Sequence, residues 1–255
     1  MPPEHHTEPN PTRHMRIDAD TCVGCESCIP YCPMAAISLV EDAGHAVIDS
    51  DECVECGVCL RSADCPTEAI AETANPWPRS VRGVFSNPLL EHKETRIPGR
   101  GTEEMKTNDV TGRFGRGDVG VAVELGRPGT GTRFLDVQKV TSAMGELGVV
   151  FEPSNPVTSL LTDRKRGDIN PDILNEKVLS AIVEFAVKLD QLPAVLSRLM
   201  AVAPGLETVF SLDVISRVEA DGSIPVEGVV RELYLPISVN GKSNCALGKP
   251  LASED

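Results

Sequence analysis

The chain predicts an α+β protein in which a small, duplicated, cysteine-rich unit is joined by a glycine- and proline-rich connection to an α/β sandwich with helices on one face of a sheet. Two observations predict it. Eight of the nine cysteines fall in two runs whose flanks repeat at an offset of 31 residues. Beyond residue 118 or so, apolar residues follow strand and helix periods in turn. At 255 residues the chain exceeds what the cysteine-rich part can occupy, so a further globular unit is expected. The predicted organisation is a disordered tail over 1–14, the cysteine-rich unit over 15–74, an extended linker over 75–117, a docking or ligand domain over 118–240 and a tail over 241–255.

The first unit is organised by thiols. Cys22, Cys25, Cys28 and Cys32 precede Pro33, and Cys53, Cys56, Cys59 and Cys65 precede Pro66. Two residues between thiolates let a tight loop curl around one metal cage and present three sulfurs to it, leaving the fourth ligand to come from elsewhere. The spacing is the ligand pattern of two 4Fe-4S clusters with exchanged fourth ligands. Cys22, Cys25, Cys28 and Cys65 are expected at the first, and Cys53, Cys56, Cys59 and Cys32 at the second. Ile17, Asp18 and Asp20 recur as Ile48, Asp49 and Asp51, marking an internal duplication. After each Cys-Pro a short helical stretch is expected, ending in Ala36-Ile37 and Ala69-Ile70, with Pro33 and Pro66 turning the chain away.

These motifs resemble bacterial-type two-cluster ferredoxins over Met15 to about Thr73, and the resemblance implies the ferredoxin-like fold. The second run departs from it: five residues separate Cys59 from Cys65 where the family commonly has three, which predicts a reshaped loop at Cys65. A four-cysteine zinc site is the alternative ligand chemistry, but zinc sites rarely take triple Cys-x-x-Cys-x-x-Cys runs. A disulfide framework would suit a secreted chain, and no apolar signal segment precedes Cys22.

The net charge of −14 is uneven. Residues 15–74 hold twelve acids against Arg16 and Arg61, a surface that repels nucleic acid and steers toward basic redox partners. No apolar run approaches the ~18 residues of a membrane span, and thiols with oxygen-sensitive clusters suit the cytoplasm.

Between residues 75 and 117, Asn75-Pro76-Trp77-Pro78, Asn87-Pro88 and Pro98-Gly99 punctuate a stretch without sustained periodicity. Residues 75–134 are basic, with ten Lys or Arg against seven acids, and such a segment either wraps back on the acidic unit or grips a partner. Gly115-Arg-Gly-Asp-Val-Gly120 matches a dinucleotide fingerprint in form, but a strand follows it where a helix is required. Arg127, Gly129, Gly131 and Arg133 have better context, lying between a strand and a helix, where backbone N–H groups can hold a carboxylate or cofactor phosphate. The plainer reading is a turn that needs positive φ angles.

The sandwich reads in order. Val119–Leu125 alternates as a strand; Val137, Val140, Met144 and Leu147 stripe a helix; Gly148 stops it before the strand Val149–Phe151. Asn170-Pro171-Asp172 predicts a cap for a helix striped by Leu174, Val178, Ile182, Phe185 and Leu189. A helix from Pro193 to about Ala203, a strand over Thr208–Val218, a turn at Asp221-Gly222 and a strand over Val226–Val239 complete it.

Outside the two runs, Cys245 lies in a polar tail without a ligand neighbour, and His45 and His92 have no metal-ligand spacing. His5, His6 and His14 fall in the first tail, and Arg164-Lys-Arg166 reads as a solvated loop. The catalytic residues are unknown, because no hydrolase, Walker or zinc-protease constellation is present. Residues 100–155, through the motifs from Arg100-Gly-Thr-Glu-Glu-Met to Gly-Thr-Arg-Phe134, resemble the ferredoxin-bearing part of 6-hydroxynicotinate reductase-type proteins. That resemblance implies an electron-transfer subunit in a hetero-oligomer, with an upstream electron donor and a flavin on a partner subunit. The alternative is a free-standing ferredoxin-type carrier with an appended protein-binding domain.

Overall fold

The computed structural model describes residues 13–40, 42–102 and 112–237. Cys245, both predicted tails apart from Arg13 and His14, and part of the 100–134 segment lie outside the described residues.

The duplication is visible in the first unit as two antiparallel ribbons. Strand β1 (Arg13–Ile17) pairs with β4 (Ile70–Ala74), and β2 (Ile37–Val40) pairs with β3 (His45–Ile48). Because β1 and β3 are equivalent in the repeat, the first ribbon joins the two ends of the unit and the second is local. Asp18 N–H reaches Ala69 O and Asp49 N–H reaches Ala36 O, the same bond made twice. Asp18 and Asp49 each accept from the two residues after next, Asp20 and Thr21 or Asp51 and Glu52, fixing the turn into each cysteine run. The core between the ribbons is little more than Met15, Ile37, Ala46 and Ile70 with Cys28 and Cys59. A core this small ordinarily needs a metal or disulfide to hold it.

No helix follows Pro33 or Pro66. Ala35 and Glu68 take left-handed backbone at φ 53, which a helix cannot propagate, and the chain enters β2 and β4 directly. The helical turns come earlier. Ile29–Tyr31 is a single 3₁₀ turn, whereas its counterpart α1 (Val58–Ser62) is two residues longer. The added helical residues are Val58 and Cys59, at the start of α1, and the longer approach to Cys65 is made by Ala63 and Asp64, which follow the helix in non-helical backbone.

The connection expected to be extended carries helix α2 (Ser80–Ser86). Val81, Val84 and Phe85 have the spacing of one helical face, and Val81 and Phe85 are buried in the core of the second unit.

The second unit is a split β-α-β arrangement. Strands β5 (Asp118–Leu125), β6 (Val150–Phe151), β7 (Ala181–Lys188) and β8 (Phe210–Ser216) lie in the order β8-β5-β7-β6, every pair antiparallel. Helices α3 (Phe134–Gly145) and α4 (Leu192–Val202) pack together on one face. Val119, Val121, Val123 and Leu125 of β5 and Val183, Phe185 and Val187 of β7 point toward them, the period of two that a half-covered strand requires. The opposite face carries Ala122, Ile182 and Glu184 and is covered by Phe114, which is 1% exposed.

Two expectations are corrected here. The stripe from Leu174 to Leu189 is not a helix. Asn170 caps only the 3₁₀ turn Pro171–Ile173, and residues 181–188 form the strand β7, because Ala-Ile-Val-Glu-Phe-Ala-Val also satisfies a period of two and is paired along its whole length by β5. The strand expected over 226–239 is instead helix α5 (Pro225–Glu232). Val226, Val229, Val230 and Leu233 then share one face against the core, and Pro225 occupies the first helical position.

Candidate iron–sulfur site

Two cavities hold the thiols. Cys22, Cys25, Cys28 and Cys65 line one, and Cys32, Cys53, Cys56 and Cys59 line the other. Each cavity thus draws three cysteines from one run and the last cysteine of the other. Cys65 reaches the first cavity despite its longer loop.

The thiols of each set are spread around the wall of a cavity. A tetrahedral zinc site brings its sulfurs to about 2.3 Å from one point. Among the described residues no three His, Cys, Asp or Glu side chains converge in that way. Each set of thiols is walled otherwise by apolar groups, such as Met15, Ile37 and Val54 in one cavity and Ala46 and Ile70 in the other. Four thiols about one cavity match the ligand number of a 4Fe-4S cluster.

The loops achieve this through two left-handed residues apiece, in equivalent places. Gly24 and Glu26 in the first run have φ 65 and 63, and Glu55 and Gly57 in the second have φ 58 and 67. Each run therefore contains one glycine and one glutamate, with their positions exchanged, and each glutamate bears the left-handed penalty of about 1 kcal/mol. Behind the ligands, Ala36 N–H lies 3.2 Å from Cys32 Sγ, Ala69 N–H 3.3 Å from Cys65 Sγ and Ala46 N–H 3.4 Å from Cys22 Sγ. Such donors stabilise charge on the sulfurs.

Burial raises four of these thiols, reaching about 12 for Cys53 and about 11 for Cys59, with Cys28 and Cys56 also above the ordinary value. Thiolate ligands at these positions need a cation beside them, and cluster assembly must release their protons. At Cys65 burial also pulls upward, but the N–H groups of Thr67, Ala69 and Ile70 and the Thr67 hydroxyl outweigh it and lower the thiol.

The second unit grips the second run. Arg82 of α2, 4% exposed, donates through Nη1 to the carbonyl oxygens of Ser50, Asp51 and Cys53 at 3.1, 2.9 and 2.8 Å, and through Nε to Glu176. Arg79 donates to Glu55 at 2.6 Å and to Ser50 O at 2.7 Å; Glu55 is buried and also accepts from Met15 N–H. Lys177 pairs with Glu52 at 2.5 Å. The residues predicted for an anion lie at this same seam. Gly129 N–H donates to Pro33 O at 2.6 Å, and Arg133 pairs with Asp51 at 2.7 Å. Arg127 bonds Ser211 and Glu124, and Gly131 has left-handed backbone against Met34. The first two N–H groups of α3 donate to Glu176 O and Leu174 O.

Other singled-out groups lie elsewhere. His92 is buried, its Nε2 2.6 Å from Gly99 O, and burial lowers its pKa. His45 meets the backbone of its own turn, and Arg166 pairs with Asp168 at the surface. Arg79 and Arg82 were missed as site residues. Their only signal is the basic character of the segment, because their partners in the second cysteine run lie 24 to 32 residues away, and Glu176 lies 94 away from Arg82.

Residues 4–69 match the family model described as a 4Fe-4S dicluster domain. No curated protein matches the chain. The chain therefore carries a ferredoxin-type domain with the chemistry of iron–sulfur electron transfer. No helix among the described residues is long and apolar enough to cross a membrane.

Proposed function

We propose that this chain is the iron–sulfur subunit of a multi-subunit cytoplasmic reductase, taking single electrons from an upstream donor and delivering them to a flavin on a partner subunit. The observation that carries the proposal is the sorting of eight thiols into two crossed sets, one beside a second folded unit that grips it. Cys22, Cys25, Cys28 and Cys65 hold the first cluster; Cys32, Cys53, Cys56 and Cys59 hold the second. When bound, the two clusters supply one-electron uptake and release.

The chain's own residues set the conditions for that chemistry. Met15, Ile37 and Val54 keep water from the second cavity, while Arg79 and Arg82 fix the loop that presents Cys53. The second unit extends the assembly toward a partner. The likeness of residues 100–155 to 6-hydroxynicotinate reductase-type proteins supports a nitrogen heteroaromatic carboxylate as the final substrate, reduced on that partner.

The test is an anaerobic native purification of the chain with its associated polypeptides, scanned for iron–sulfur and flavin absorbance. A stoichiometric flavin-bearing polypeptide is expected. Iron–sulfur absorbance with no partner would make the chain a free-standing carrier with an appended binding domain.

A further inference from the structure

We infer that the open wall of the first cavity, at Val23, Cys25 and Glu26, is the docking site for a one-electron carrier protein with a positively charged face. The second cavity is closed to such a carrier by this chain's own second unit. The inference rests on the electron-transfer reading above and adds to it which end of the cluster pair meets the donor.

The duplication provides an internal comparison, because equivalent residues build both cavities. Val23 is 62% exposed, and its counterpart Val54 is 1% exposed. Cys25 is exposed, whereas Cys56 is buried. Glu26 is exposed, whereas Gly57 is buried. No residue lining the second cavity is exposed, and its Met34 packs on Leu179 and lies beside Gly131 of the second unit. Electron transfer falls steeply with separation, so a carrier in solution exchanges fastest at the first cavity.

Charge identifies the carrier. Asp51, Glu52 and Glu55 beside the second cavity are paired with Arg133, Lys177 and Arg79. Around the first cavity, exposed Asp64 and Glu68 flank Cys65 and exposed Asp20 precedes Cys22. Exposed Asp42 lies in the turn whose Gly44 carbonyl abuts Gly24. Among the described residues no Lys or Arg is paired with these four acids. An apolar contact at Val23 ringed by unneutralised acids fits a basic docking face. The exchange moves one electron and breaks no bond: the carrier is oxidised by one electron and this chain is reduced by one.

The experiment uses the full chain with its clusters and cytochrome c as a basic one-electron probe. Binding is measured by calorimetry at low salt and mapped by hydrogen exchange. Protection is expected over residues 20–28 and 64–69 and not over 50–57. Asp64→Lys with Glu68→Lys weakens binding about tenfold or more, in line with the range of electrostatic steering. Asp190→Lys with Glu232→Lys, the same charge change on the second unit, leaves it within about twofold. If the first pair loses iron–sulfur absorbance, Asp20→Lys with Asp42→Lys replaces it. Equal weakening by both pairs, or protection confined to the second unit, overturns the docking site while leaving electron transfer intact. A wild-type chain without iron–sulfur absorbance overturns the electron-transfer reading itself.

Discussion

The guanidinium of Arg82 donates to the carbonyl oxygen of Cys53 across 2.8 Å, from a helix whose apolar face belongs to the core of the second unit. One buried cation thus ties a ligand loop to a separate hydrophobic core. Arg82→Met leaves the carbonyls of Ser50, Asp51 and Cys53 without this donor and Glu176 without its buried partner, a loss of about 3 kcal/mol for a broken buried pair. Denaturant unfolding checks the stability. Iron analysis is expected to show selective loss at the second site, and full iron content with unchanged unfolding would exclude the role.

The crossed cavities predict how single cysteine variants sort. Cys22→Ala and Cys65→Ala leave the same residual cluster spectrum, and Cys53→Ala and Cys32→Ala leave the other. Electron paramagnetic resonance of the reduced variants distinguishes this from ligation within each run, in which Cys65→Ala would resemble Cys53→Ala.

Two glycines at the seam separate conformational cost from packing cost. Gly129 has φ +87 with nothing within 4 Å of an added Cβ, so Gly129→Ala costs about 1 kcal/mol for left-handed backbone. Gly131 has φ +64, and an added Cβ would lie 2.9 Å from both Met34 Cε and the Val178 carbonyl oxygen. Gly131→Ala is expected to cost a further ~1–3 kcal/mol from overpacking. Thermal unfolding of the two variants side by side measures the difference.

Glu184 gives the second unit a pH dependence. Burial is the largest cause acting on it and raises its pKa, against hydrogen bonds from Thr102 and Asn155 and with repulsion from Glu152. A carboxyl raised in the folded state contributes stability below its unfolded pKa, and that contribution is lost as pH rises through the folded value. Glu184→Gln keeps an acceptor for the Thr102 N–H, 2.7 Å away, and removes the buried charge. Its unfolding midpoint should exceed the wild type's at neutral pH, with the gap closing as pH falls into the ordinary carboxylate range. A constant gap across pH would contradict the assignment.

Legibility followed locality. The cysteine runs, the strand at Val119–Leu125 and the helix around Val137–Met144 carry their signals within one stretch of chain and were readable as such. Residues 181–188 satisfy helical and strand periods together, and pairing with β5, which is not local, decides between them. Val226–Leu233 turned on a similar choice, settled by the face the core leaves to α5. The clamp formed by Arg79 and Arg82 joins positions far apart in the chain, so only its positive charge was visible beforehand. The insertion before Cys65 was readable, but the earlier start of α1 at Val58 was not, because Gly57 and the fold around Cys59 decide it.

Two 4Fe-4S clusters in crossed thiolate sets are what every step of the proposed relay requires. Mössbauer spectroscopy of the anaerobically isolated, iron-57-labelled chain, with sulfide analysis on the same sample, tests for them most directly. Two cluster equivalents of iron and sulfide are expected, with all the iron in the 4Fe-4S type. Zinc in place of iron, or iron sufficient for one cluster only, would contradict it.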